Sequence, residues 1–302
     1  MDAVLVRPLS SADQSAVTAL FASAGRRASS AVSPHDCCVA MVAGPPERII
    51  GFAAWWHVRL DKFRMDLLVA PDSRRRGVGT LLLDHLVRQA RLAGALTLQA
   101  RVESDDQESL EFVVARGFIE TMRMHRQVLH VAWAKLTPHA HLTARLAERG
   151  VMVATLEHEL ARGEACWKEF CRLFNAAREG WLDPDPGPVT PLTPSELLRR
   201  HQAATEEHGV GSEQCLLAVR GDRYVGFTGS LGTAVDPAFR GQGIATALKL
   251  RAIISARDHG VATLHTSSGN PAMLRVNQRL GFSLVSTEVR LVRTLETPYD
   301  VR

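Results

Sequence analysis

Apolar residues along the chain fall into short runs and period-four stripes that alternate twice in the same order. Residues 38–43, 48–57 and 65–69 are apolar runs broken by Gly44-Pro45-Pro46 and by charged positions, which predicts a meander of β-strands. A second set, 215–220 and 224–230, flanks Gly221-Asp222, a hairpin signal. A helical stripe follows each set: Val78, Leu82, Leu86 and Ala90 in one case, Ile244, Leu248 and Ala252 in the other. Gly94 and Gly260 stand where C-terminal helix caps belong, and the runs 96–102 and 261–266 read as strands beyond them. A further helix is expected at 195–207, capped by Thr193 or Ser195. The stretch 181–194 carries five prolines and reads as a loop; 136–150 reads as a connection, with a helix at 144–149 as an alternative.

The alternation is an internal repeat. Val69-Ala-Pro71-x-x-Arg74-x-x-Gly77-x-Gly79 matches Val235-Asp-Pro237-x-x-Arg240-x-x-Gly243-x-Ala245 at a constant offset of 166 residues. The offset persists through Gly94 with Gly260 and Leu98 with Leu264. It is 164 at Gly117-Phe118 and Gly281-Phe282, and 175 at Gly51-Phe52 and Gly226-Phe227, so the insertions fall in loops. Each half reads as one α/β unit centred on strand, basic glycine turn, helix. A length of 302 residues agrees with two domains.

Composition narrows the chemistry. Hydrophobic content of 46% with 23% charged residues is globular, and a formal charge of +4 is too mild to indicate nucleic acid. The positive charge gathers at Arg74-Arg75-Arg76, which suits an anionic small ligand. Cys37, Cys38, Cys166, Cys171 and Cys215 follow no metal-ligand spacing and read as core thiols of a reduced, cytoplasmic protein. His139 and His141 lie in a proline-broken stretch without carboxylates and read as loop histidines, so no metal is expected. No signal-like segment and no run of 18 apolar residues is present, so no membrane partner is expected.

A glycine turn between strand and helix exposes backbone N–H groups at the positive end of the helix dipole. Gly77, Gly79 and Gly243 let that backbone approach a diphosphate without a Cβ in the way, and a neighbouring arginine adds charge-assisted hydrogen bonds. One copy reads equally well as a strand–helix turn with solvated arginines. Two copies at one offset, each after a Val-x-Pro strand end, point to phosphate binding. A GxxxxGK[ST] loop is absent, as is a GxGxxG followed by an acidic residue, which disfavours P-loop and dinucleotide folds.

On these residues the chain resembles the GNAT superfamily of acyl-coenzyme A-dependent N-acetyltransferases. Arg240-Gly-Gln-Gly-Ile-Ala245 matches the family's pyrophosphate loop, and Arg74-Arg-Arg-Gly-Val-Gly79 matches it nearly as well. The downstream Gly-Phe pairs resemble its last helix-to-strand junction, and the arrangement is similar to two-domain actinobacterial members. The resemblance implies an α/β chain of two tandem GNAT folds, each a mixed, mostly antiparallel sheet flanked by helices, with domains at 1–135 and 150–302. It implies acetyl-CoA as cosubstrate without a metal, and an amine of a small molecule or peptide as acceptor. Nucleic acid and membrane are not implied as partners, and the chain is a monomer or homodimer.

Carried over residue by residue, the resemblance implies that the N–H groups of Arg240, Gly241, Gln242, Gly243, Ile244, Ala245 and Thr246 hold the diphosphate. Thr233, Ala234 and Val235 would pair with the pantetheine arm, with the Val235 N–H polarising the thioester carbonyl. The first-half counterparts are Leu67, Leu68 and Val69 for the strand, and Arg75, Arg76, Gly77, Val78, Gly79 and Thr80 for the turn. Asn270 resembles the family residue near the pantetheine, with helix capping as the alternative. The family often places a tyrosine four residues before the Gly-Phe glycine, as acid to the leaving thiolate. Here that position is Asn277, and Val113 in the first half. Asparagine donates a hydrogen bond but no proton, so its implied catalytic help to a thiol of pKa about 8.5 is by hydrogen bonding.

Asp106 matches Asn270 in the first half, and an anion beside the apolar Val113 is poor company for a thiolate. The second half is therefore the expected catalytic one. The first either binds CoA too or is a worn copy that supports the second. Attack by a neutral amine needs a base, for which His265, Asp236 and Glu213 are candidates. Trp55 and Trp56 line an acceptor pocket or fill core. The rival reading is a catalytically silent acyl-CoA-binding module.

Overall fold

The structure is a computed structural model that describes residues 4–26, 36–42, 47–59, 61–137, 141–178 and 190–295. The chain forms two compact units, Met1–Arg123 with Glu288–Arg302, and Met124–Thr287. Both are α/β, with sheets that are mostly antiparallel.

In the first unit, β1 (Val4–Pro8), β2 (Cys37–Val42), β3 (Arg48–Arg59) and β4 (Lys62–Val69) pair antiparallel in sequence order. β5 (Thr97–Glu103) joins β4 in parallel, but only over Lys62↔Thr97, Phe63↔Leu98 and Arg64↔Gln99. Beyond Arg64 the two strands part. Helix α1 (Gln14–Ser23) buries Val17, Leu20 and Phe21, and α2 (Val78–Leu92) buries the predicted stripe of Val78, Leu82, Leu86 and Ala90. A short helix, α3 (Gln107–Val114), follows β5.

The second unit holds a four-stranded antiparallel sheet in the order β10-β9-β8-β7, built from β7 (Val151–Thr155), β8 (Leu216–Arg220), β9 (Arg223–Gly229) and β10 (Gly232–Val235). Helix α4 (Leu142–Glu148) occupies the connection and α5 (Leu156–Glu159) is a single turn. One face of the sheet packs on α6 (Glu164–Arg178) and α7 (Pro194–His208), where Phe170 and Phe174 meet Phe227. The other face packs on α8 (Ile244–Asp258), where Ile244, Ala247 and Leu248 join Leu216, Ala218 and Val225. Thr193 caps α7 in a reciprocal box with Glu196, so of the two expected caps it is the threonine. Of the proline-rich stretch, residues 181–189 lie outside the described residues.

The upstream Gly-Phe pairs mark the same crossing in each half. A Cβ on Gly51 would stand 2.7 Å from Leu82 and 3.2 Å from Val78. One on Gly226 would stand 2.8 Å from Ile244 and 3.2 Å from Leu248, the matching helix positions. Glycine is there because the helix lies against the strand backbone.

The sheet ends exchange strands. β6 (Ile119–His130), the last strand of the first half, passes into the second unit, where residues 125–130 pair with β11 (Thr263–Ser268) and Leu129 enters the core beside Leu250 and Leu280. After helix α9 (Pro271–Leu280), β12 (Ser283–Thr294) runs the other way. Its residues 288–294 pair with all of β5, and Val289 and Leu291 are buried in the first unit's core. Each unit is thus completed by the other half's last strand, although the repeat itself divides the sequence end to end.

Candidate active site

The two glycine turns follow one backbone path. Arg74 and Arg240 are extended (φ −67°, ψ 164° and φ −64°, ψ 159°), and Arg75 and Gly241 are left-handed at φ 59° and 75°. Gly77 and Gly243 are left-handed at φ 83° and 85° and cap α2 and α8. In both halves the motif arginine points its Nε back to the strand end, Arg74 to the Val69 carbonyl and Arg240 to the Val235 carbonyl, each at 3.4 Å. Among the described residues, no acceptor takes the amides of Gly241, Gln242, Gly243, Ile244, Ala245 or Thr246. The same holds for Arg75, Arg76, Gly77, Val78 and Gly79, whereas the Thr80 amide bonds to the Gly77 carbonyl at 3.0 Å. First-turn amides lack partners in any helix. Here the loop amides ahead of the helix join them, in a concave set that suits an anion.

Each turn lies at the end of an open strand edge. The Asp236 amide bonds inward to the Val225 carbonyl at 3.0 Å, and the Ala70 amide to the Ile50 carbonyl at 2.8 Å. Inward and outward groups alternate along an antiparallel strand. The N–H and C=O groups of Thr233 and Val235, and of Leu67 and Val69, therefore point to the opposite edge. In the second unit β10 ends its sheet, with Ala234 buried below it; in the first, β5 leaves β4 after Arg64, so Leu68 and its neighbours have no strand alongside. Open edge and free amides together form a track for an extended ligand with an anionic end.

Comparison with known proteins decides the family. The Acetyltransferase (GNAT) family profile matches residues 10–118 and again 175–282. The chain belongs to the GNAT acetyltransferases. Mycothiol acetyltransferase of Cellulomonas flavigena is 24% identical over 266 residues, 82% of this chain and 72% of that protein. The Rhodococcus erythropolis protein of that name is 26% identical over 253 residues, 76% of each chain. A GCN5-related N-acetyltransferase from Sphaerobacter thermophilus aligns at TM-score 0.65 and 18% identity, over 96% of this chain and 95% of its own. A tandem GNAT protein from the clavulanic acid biosynthesis pathway aligns at TM-score 0.61 and 19% identity, over 97% and 98%. The last two are likenesses of fold.

Within this acetyltransferase, Asn270 caps α9, accepting from the amides of Ala272 at 2.8 Å and Met273 at 3.3 Å. Asp106 caps α3 in the same way, accepting from Ser109 at 3.0 Å. The repeat position needs a cap, which Asn and Asp meet equally, and the Asp106 charge faces the positive end of its helix. Asn277 is wholly buried; its Nδ2 donates to Gln127 Oε1 at 2.7 Å, and its Oδ1 has no partner. Val113, its counterpart, is buried too.

Asp236 leaves the set of bases. It caps the turn after β10 through the Ala238 amide at 3.1 Å and takes Arg172 at 3.0 Å and Arg223 at 3.5 Å, which fixes it as an ion-paired anchor. His265 and Glu213 are exposed. Trp55 is core, and Trp56 is half-buried with the Arg64 guanidinium 5.9 Å from its ring. All five cysteines are buried, and burial pushes the thiols up, to about 11 for Cys37 and about 12 for Cys38 and Cys215, so none is poised as a nucleophile. Among the described residues, no three His, Cys, Asp or Glu side chains group as a metal site, and no helix is long and apolar enough to cross a membrane.

Two buried groups escape sequence reasoning. His201 on α7 contacts the hydroxyls of Ser230 at 3.1 Å and Ser212 at 3.2 Å, beside the hairpin that leads into β10, and burial pulls its pKa below the ordinary value. Lys249 on α8 is 8% exposed, its ammonium 5.4 Å from the Phe282 ring, and burial lowers its pKa to about 8. Periodicity marks neither, because each is a polar residue set at spacing four from a buried apolar one, His201 from Leu197 and Lys249 from Ile253.

Proposed function

We propose that the second half is the acetyl-transfer centre, taking the acetyl group from acetyl-CoA to an amine of a small molecule or peptide. One observation carries this reading: the open edge of Thr233 and Val235 runs directly into the free amides of Gly241, Gln242, Gly243, Ile244, Ala245 and Thr246. Those residues fit an acyl-CoA, whose chemistry when bound is that of a thioester carbonyl open to an amine. The edge of β10 holds the amide-bearing arm as a strand would, and the Val235 N–H, facing outward, donates to the carbonyl oxygen. The turn amides and the positive end of α8 hold the diphosphate, with Arg240 turned back to keep the strand end in place. Asn277 is wholly buried with its Nδ2 on Gln127 Oε1, so its part is to hold α9 in place behind the site rather than to meet the thiol itself. Leu67, Val69 and the turn from Arg75 to Thr80 repeat the arrangement and make the first half a second candidate for the same ligand. The relatives named mycothiol acetyltransferase put mycothiol chemistry first among acceptors to be screened.

The test is calorimetric titration of the full chain with acetyl-CoA, repeated on Gly243→Glu and Gly77→Glu, followed by thiol release in the presence of amines. A carboxylate at either turn is expected to abolish binding there. Loss with Gly243→Glu alone assigns the site to the second half. An unmodified chain that does not bind acetyl-CoA overturns the reading.

A further inference from the structure

The second-half turn has a neighbour outside the repeat. Helix α4 lies against it: a Cβ on Gly243 would stand 3.3 Å from Leu142, and Leu146 is buried with Ile244, Ala247 and Leu248. That apolar anchorage fixes which way the helix faces. Arg145 and Arg149, one helical turn apart, line a cleft whose other wall is Gly241, Gln242 and Gly243. Both arginines are exposed, no carboxylate lines the cleft, and among the described residues neither arginine has an ion-pair partner. Their mutual repulsion at i and i+4 offsets what either charge gains from the C-terminal end of this short helix. The first-half turn is different: there Arg74 is met by Glu108 at 3.0 Å, which answers the positive charge locally.

We infer that Arg145 and Arg149 form a phosphate clamp, closing the second-half turn from the side opposite its amides; this rests on the acyl-CoA reading above. Guanidinium groups match phosphate oxygens in a two-pronged geometry that backbone amides alone do not supply. A guanidinium wall facing a wall of backbone amides gives a phosphate more donors than a lone helix end offers. Coenzyme A carries phosphate in two places, the internal diphosphate and the terminal phosphomonoester on the ribose, and the clamp's chemistry is common to both.

The experiment uses the full chain and three forms: unmodified, Arg145→Ala with Arg149→Ala, and Arg145→Lys with Arg149→Lys. Each is titrated calorimetrically with CoA and with dephospho-CoA at low and moderate salt, and thermal melting checks the fold. The alanine form is expected to bind CoA about tenfold more weakly, with a shallower salt dependence, and the lysine form to recover part of the loss. If CoA alone weakens, the clamp holds the terminal phosphate; if both ligands weaken equally, it holds the diphosphate, and either result supports it. Alanine variants that bind both ligands within about twofold of the unmodified chain overturn the clamp and leave the acyl-CoA reading standing. An unmodified chain that binds no CoA overturns both.

Discussion

Aligned through the repeat, the two halves differ in polarity at two buried positions. Lys249 occupies the place of Leu83, and Asn277 that of Val113; all four side chains are buried. Leu83 and Val113 show that the fold accepts apolar residues at both positions, so packing does not call for the polar ones. Buried polar groups without full partners cost about 1–3 kcal/mol each. At these two positions the second half carries polar groups that the first does without, which is the pattern of a site held for chemistry rather than stability. The first half buries unpartnered nitrogens of its own at Arg64 Nε and Arg116 Nε. The turns invert the contrast. Gly241 adopts the left-handed region freely, whereas Arg75 does so at φ 59°, so here the first half carries the strain.

The comparison is broken most severely by separating the halves. Residues 1–135 alone lack β12 and leave β5 with an open edge, and residues 150–302 alone lack β6. Neither fragment is expected to fold, and co-expression is expected to restore a soluble complex. Circular dichroism and size-exclusion chromatography check this, and a stably folded 1–135 fragment would count against it. Next in size is Lys249→Leu. The folded pKa of about 8 lies below the unfolded value of about 10.4, so between those values only the unfolded chain keeps the proton and native stability rises with pH. The substitution is expected to stabilise by about 2–3 kcal/mol at pH 7 and by almost nothing above pH of about 10.5, read from urea melts at both. Asn277→Val is expected to lower kcat about tenfold while the KM for acetyl-CoA stays within about twofold, and steady-state kinetics beside a melting curve separate that from unfolding. Smallest is the turn. Gly241→Ala is expected to cost about 1 kcal/mol, and Arg75→Gly to change stability by less than about 0.5 kcal/mol, because relieved strain is offset by chain entropy.

Much of the fold was legible because repeated patterns had simple causes. The stripe at Val78, Leu82, Leu86 and Ala90 is the buried face of α2, and the Gly51 and Gly226 positions are helix crossings. The turn was legible because its glycines and its arginine serve one backbone path twice. The exchange of β6 and β12 was not, since an apolar strand carries no mark of which edge it will join. Asn270 and Asp106 invited a functional contrast, yet both accept from helix amides, a role that short-range pattern alone does not separate from ligand contact. Arg145 and Arg149 lay in what reads as a connection, where no periodicity links them to a turn about 95 residues away.

The exchanged strands also bear on inheritance. A duplicated gene ordinarily leaves a spare copy that later deletion can remove. In this chain, losing either half takes a strand out of the survivor. A first half whose own catalysis faded would still be kept, as the frame that finishes its twin.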